Sequence, residues 1–227
     1  MAAMLGCLES DERGRTLALL TRACEKHDIT FHLLEIEDQG EKGLGISYTA
    51  RSPGEPDASR ERCYTLLAEL EQLLESTSDI GRRILDHIFD AEGEAHRIPV
   101  EQVHLHEIGR IQALVNIAGI GLVASLLAKG GAGQFKSSVI TTGGGLVVVS
   151  HGAIRIPAPA SSILLRGLKH RTGDSPGERA TPTGIAAIRA LAGSQVEEVP
   201  SMFVKKRVGF GTKRFAGRLG RTRLLWL

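Results

Sequence analysis

The chain has 227 residues, 42% hydrophobic and 24% charged, with a formal net charge of +2. That is the composition of an ordinary soluble globular protein, long enough for one large or two small domains. Cys7, Cys24 and Cys63 are widely spaced, odd in number and form no C-x-x-C pair, which indicates neither a disulfide framework nor a structural zinc site. The start lacks a basic n-region and reaches Glu9 almost at once, so no secretory signal is expected, and a reducing cytoplasm is the expected compartment.

Helical spacing of Met4, Leu5 and Leu8, then of Leu17, Leu20 and Cys24, predicts two opening helices broken near Ser10 and Asp11. Residues 30–37 and 45–50 are β-prone on either side of a glycine-bearing turn, and 51–59 reads as a loop. Cys63, Leu66, Leu67, Leu70, Leu73 and Leu74 trace an amphipathic helix. A second follows from Asp79, with Ile80, Ile84, Ile88 and Phe89 inward, and ends near His96 before Pro99. The apolar run 113–128 carries Asn116, Gly119, Gly121 and Ser125, so a buried helix over 111–128 is expected rather than a membrane span. A strand is predicted over 135–141, a hairpin turning at His151-Gly152, a short helix after Pro157, and a helix over 184–191 capped by Thr183. The basic tail supplies two last strands. The expected fold is α+β, with an α/β lobe over 1–58, a helical segment over 59–128 and a β-rich lobe over 129–227.

The small net charge hides an asymmetry. Residues 1–100 hold 11 basic against 20 acidic side chains, and residues 101–227 hold 17 against 6. Eight basic residues and no acidic one fall in the last 27. Such a field suits an anionic ligand, a nucleic acid, or the acidic half of another copy, so a homo-oligomer is expected. Phe203, Phe210, Phe215 and Trp226 interleave with the basic residues, but the tail alternates like strands, and a solvated basic face is the economical account.

The segment Val103-His104-Leu105-His106-Glu107-Ile108-Gly109 is the most informative. In extended backbone, residues two apart point to one side, which pairs the imidazoles of His104 and His106 next to the Glu107 carboxylate. Imidazole nitrogen with carboxylate oxygen suits late first-row divalent metals, nickel and zinc among them. Two histidines bonded to backbone at a strand edge would look the same, so spacing alone leaves both readings open. His96 and His151 are candidate third ligands, or else a helix-end and a turn histidine. Gly143, Gly144 and Gly145, with the helix start at Thr181 and Thr183, could offer backbone N–H groups to a phosphate. Tight bending and helix capping explain the same residues. Arg155, Lys205, Lys206 and Arg207 could neutralise an anionic ligand. No spacing supports a Ser-His-Asp or Cys-His nucleophile, and no catalytic residue is assigned.

Four blocks in register carry a family resemblance: His104-Leu-His106-Glu107-Ile-Gly109, Ser150-His151-Gly152 through Ala160, Ala180-Thr181-Pro182-Thr183-Gly184, and Val208-Gly209-Phe210-Gly211-Thr212. Together with residues 91–96 and 4–8, they resemble the LarC family of nickel-insertion proteins over nearly the whole chain. The resemblance implies a cytoplasmic, lyase-type cyclometallase. Such a protein inserts Ni²⁺ into a pyridinium bis-thiocarboxylate mononucleotide, its pincer nucleotide precursor, at the expense of CTP, with Mg²⁺ or Mn²⁺ accompanying the nucleotide. Read from the residues themselves, His104 and His106 would bind Ni²⁺ through neutral imidazole, with Glu107 as an oxygen ligand or as the acceptor that fixes a tautomer, and His96 and His151 as candidate third ligands.

Departures from the family pattern are equally specific. Relatives usually open with a strand and an Asp-bearing loop, whereas this chain starts inside the helix that follows. Two aspartates usually stand four apart after the His-x-His-Glu, where this chain has Gln112 and Asn116. An amide oxygen holds a hard cation far more weakly than a carboxylate. Residues 149–150 are Val-Ser where many relatives carry Cys-Ala, and 51–62 contains no histidine. Leu227 falls about where the resemblance expects a separate nucleotide-binding C-terminal domain. The expectation is therefore a nickel-insertion protein or its separately encoded N-terminal component, with a C-terminal subunit as partner. The rivals are a non-catalytic scaffold of the same fold and a nucleic-acid-binding module resting on the basic tail.

Overall fold

The computed structural model describes residues 1–50, 58–106, 109–149 and 152–227. Helices α1 (Ala2–Leu5) and α2 (Ser10–Lys26) open the chain, separated by the extended Glu9. Asp11 and Glu12 sit in the first turn of α2, where negative charge favours the helix dipole. Strands β1 (Ile29–Asp38) and β2 (Glu41–Ala50) form an unbroken antiparallel hairpin from Ile29↔Ala50 to Asp38↔Glu41. Its two turn residues, Gln39 and Gly40, both have positive φ (54° and 75°), the geometry that matches the twist of a tight hairpin.

The middle of the chain is helical. Strand β3 (Ala58–Ser59) leads into α3 (Arg60–Leu73), where the Ser59 hydroxyl accepts from the Arg62 N–H and caps the helix. Helix α4 (Ile80–His96) ends on Arg97 in the left-handed region (φ 57°), with the Ile98 N–H returned to the Gly93 carbonyl. After a single 3₁₀ turn (Val100–Gln102) comes β4 (His104–Leu105), then α5 (Ile111–Lys129). Helix α5 is long and apolar enough to cross a membrane, yet here it is the core helix, packed by α1 to α4 and α7. Leu114, Val115, Ile117, Ala118 and Val123 on it are fully buried, as are Ile84, Leu85, Ile88 and Phe89 on α4. Burying each large apolar side chain contributes about 1.5–3 kcal/mol.

The last third is mixed. Strands β5 (Lys136–Ser138), β6 (Ile140–Gly144), β7 (Leu146–Val149) and β8 (Gly152–Arg155) precede α6 (Pro159–Leu164). Strand β9 (His170–Pro176), helix α7 (Pro182–Leu191) and strand β10 (Ser194–Val196) follow, then β11 (Lys205–Phe215) and β12 (Arg218–Trp226). The β7–β8 hairpin is present, and its expected turn at His151 lies outside the described residues. Strand β3 falls inside the expected loop over 51–59, and two later strands also have no counterpart in the sequence reading. Strand β9 pairs in parallel with β6, and β10 pairs in parallel with β5. The cap of α7 is also shifted: the Thr181 hydroxyl accepts from the Gly184 N–H, and Pro182 opens the helix, so Thr183 lies inside the first turn. Proline in the first turn costs nothing there, because that N–H has no partner in a helix.

The two ends of the chain meet in one four-stranded sheet, ordered β1-β2-β11-β12. Its strands are stitched by charge. Asp38, only 6% exposed, accepts from Arg214 (3.0 Å), the Leu219 N–H (3.1 Å) and Arg221 (3.3 Å). Glu41 accepts from Lys206 (2.9 Å), Arg221 (2.6 Å) and Arg223 (2.5 Å). Four of the basic tail residues therefore direct their charge onto the β1–β2 turn, so the tail is not simply the solvated basic face that its composition suggests.

Candidate metal-handling strand and its surroundings

The His-x-His segment is held by a two-residue ladder. Ser59 pairs with His104 and Ala58 with Leu105 across β3 and β4. Val103 and Leu105 are 1–2% exposed and anchor the strand in the core, whereas His104 and His106 lie on the exposed side. Alternation in extended backbone thus brings the two imidazoles out together. Gly109 explains why the segment must end in glycine: a Cβ there would stand 2.4 Å from the Leu105 carbonyl oxygen and 2.6 Å from the Ala58 Cβ. The chain folds back so closely on β4 that a side chain has no room. Glu107, the expected oxygen ligand, lies outside the described residues, as does His151.

The structure adds a carboxylate that the sequence reading did not single out. Glu92 stands on α4 one turn before His96, with its carboxylate 3.5 Å from His96 Nε2. Burial pushes the Glu92 carboxyl above its ordinary value, and the positive fields of His96 and His106 pull against that rise. Glu92 thus contacts His96, at the end of α4, and feels the field of His106, just past β4. A Glu/His pair at i and i+4 on a helix was the available signal. Among the described residues, no three His, Cys, Asp or Glu side chains converge on one metal-sized point.

The amides on α5 have a different environment. Tyr48 on β2 donates its phenol to Asn116 Oδ1 at 3.0 Å, and packs edge-on against Phe31 with ring centroids 5.8 Å apart. Burial holds the Tyr48 phenol well above its usual range, so it stays a proton donor. Gln112, one turn earlier, is half-buried.

The remaining candidates lie on other elements. Gly143 and Gly144 are buried in β6, where a Cβ on Gly143 would collide with the Gly177 carbonyl oxygen. The Gly177 N–H donates to the Gly144 carbonyl at 3.0 Å, and Gly145 turns the chain with φ 79°. Close strand approach accounts for these glycines. Thr181 caps α7, Thr183 is half-buried beside it, and Arg155 is exposed on β8 opposite Leu146. Lys205 donates to the Cys7 carbonyl (3.0 Å) and Arg207 Nε to the Gly6 carbonyl (2.7 Å), which ties β11 to the loop after α1.

Comparison with known proteins gives a consistent picture. The family model described as nickel insertion protein matches residues 7–226. A nickel insertion protein of Geotalea uraniireducens is 33% identical over 174 residues, covering 75% of this chain and 44% of its own length. One from Citrifermentans bemidjiense is 30% identical over 189 residues, covering 82% of this chain and 47% of its own. A third, from Geobacter metallireducens, is 35% identical over 150 residues, covering 66% and 37%. The chain thus spans less than half the length of these relatives. No solved structure matches it.

Proposed function

The chain belongs to the nickel insertion protein family, and on that premise we propose that it handles Ni²⁺ in the synthesis of a nickel-pincer nucleotide. The metal is cargo, delivered into a pyridinium bis-thiocarboxylate mononucleotide, with a nickel–carbon bond formed as the C–H bond at that carbon breaks and releases its proton. The observation that carries this reading is the segment around β4, which is anchored by Val103 and Leu105 and leaves His104 on the strand and His106 just past it both exposed. Neutral imidazoles at that spacing would receive Ni²⁺. Glu107 and His151 are the further proposed ligands. Glu92 would act behind them, holding the His96 ring and balancing charge as metal arrives, in the way that carboxylates orient metal-bound histidines. CTP use, a lyase-type reaction, Mg²⁺ or Mn²⁺ for the nucleotide and a cytoplasmic setting complete the proposal. The CTP step belongs to the other half of the family's chains, as a joined or separate C-terminal part.

A second reading has one observation in its favour. Asn116, where the resemblance expects aspartate, gives its side-chain oxygen to Tyr48. A scaffold that had given up metal chemistry would keep such a structural bond. An assay separates the two. The chain is mixed with precursor, Ni²⁺, CTP and Mn²⁺, with and without the Geotalea relative's remaining half, and product is followed by mass spectrometry. The insertion reading expects metallated product only when both parts are present, and none with H104A/H106A. Undiminished product from that variant would overturn the assignment of these histidines. No product from the complete mixture would favour the scaffold.

A further inference from the structure

Large apolar side chains are well exposed at few of the described positions, and five of these fall in one place. Val199 (53%), Met202 (85%), Phe203 (43%) and Val204 (85%) form the strap leading into β11, and Leu227 (69%) lies beside it. The Val204 N–H donates to the Trp226 carbonyl at 2.7 Å, which fixes the strap against the end of β12. A contiguous exposed patch of this kind marks a protein-binding surface more often than chance exposure does. Strand β12 is also an outer strand of the four-stranded sheet, so one row of its backbone N–H and C=O groups has no strand partner among the described residues. Outer strands are commonly guarded by charged side chains. Here Arg221 and Arg223 are drawn back onto Asp38 and Glu41, which weakens that guard.

We propose that the strap over residues 199–204, with Leu227 and the open side of β12, is the docking surface for the part of the family's chains that lies outside this match. More than half of each matched relative lies there. Its contact would be an extended apolar segment, laid along β12 by backbone hydrogen bonding and seated on Met202 and Val204. The inference rests on family membership and not on nickel chemistry, so a failure of the metal assignment would leave it standing.

Hydrogen exchange tests it on intact proteins. Amides of the full-length Geotalea relative at the positions that the family match over residues 7–226 equates with 199–204 and 218–226 are compared with the corresponding amides in the 227-residue chain. Docking predicts at least tenfold slower exchange in the full-length relative, and a return to fast exchange when aspartate replaces the residues aligned with Met202 and Val204. Equal exchange in the two proteins would overturn the proposal. Sedimentation of this chain and of M202D/V204D supplies the second arm. The same oligomeric state for both is expected. A dimer dissolved by the substitutions would place a second copy on the strap instead, which also overturns it.

Discussion

Tyr48 and Asn116 are joined by a 3.0 Å hydrogen bond that ties the second strand of the sheet to the core helix α5. The bond decides what Asn116 does: its oxygen is taken by a phenol that burial keeps protonated. A carboxylate at 116 could accept the same proton, but it would bring a charge into a half-buried site. The amide therefore suits a packed interface better than a cation site.

Removing the phenol should expose the value of this contact. Tyr48→Phe leaves the Asn116 oxygen without its partner in a partly buried position, and should cost about 1–2 kcal/mol. Urea denaturation of the single variants and of Y48F/N116L gives the coupling directly. Additive effects would show that the two side chains act independently.

Restoring aspartate at both α5 positions tests the surviving capacity for metal. Q112D/N116D should lose about 1–3 kcal/mol of stability without metal, because two carboxylates one turn apart would be partly desolvated. The insertion reading expects added Mn²⁺ to recover much of that loss, as read by the melting temperature. A loss that Mn²⁺ leaves untouched would support the scaffold.

Acid should loosen the joint between the chain ends. Hydrogen bonds from Arg223 and Lys206, and then from Arg221, hold the Glu41 carboxyl far below its ordinary value of 4.5. A depressed carboxyl stabilises the fold fully above the unfolded value, and progressively less as pH falls below it. E41Q should therefore be clearly less stable than wild type at neutral pH, with the gap narrowing below about pH 4.5. Urea midpoints of both proteins at neutral and acidic pH check this, and a gap independent of pH would refute it.

The β11–β12 turn stores a small strain. Ala216 has φ 47° next to Gly217 at 77°, the two-residue turn that ordinarily takes glycine or asparagine. Ala216→Gly should stabilise by about 1 kcal/mol, net of the added chain entropy. Thermal melts of the two proteins read the difference, and a lower melting temperature for A216G would contradict it.

The helices and the β1–β2 hairpin were legible because apolar spacing over ten or more residues is a long signal. Leu67 and Leu70 on α3, and Ile84, Ile88 and Phe89 on α4, are buried as their spacing predicts. Strand β9 was not legible. Its residues His170 to Pro176 show no alternation, and it is a strand because β6 lies beside it in parallel. The meeting of β2 with β11 in one sheet was equally hidden, since no local pattern reports a partner more than 150 residues away. At the candidate site, alternation about Leu105 placed His104 and His106 correctly on one exposed side. Glu92 escaped because its relation to His106 depends on how α4 packs against the 3₁₀ turn that leads into β4.

Nickel stoichiometry is the most direct test of the account. The protein is purified without a histidine tag, loaded with Ni²⁺ near pH 7.5, desalted, and its metal measured at that pH and near pH 5.5. About one Ni²⁺ per chain at the higher pH, released on acidification as imidazole ligands take up protons, is the expected result. H104A/H106A should bind almost none while keeping the wild-type circular dichroism spectrum, and E92Q should bind more weakly than wild type. Equal nickel retention by folded H104A/H106A would contradict the central claim and leave these histidines as structural groups.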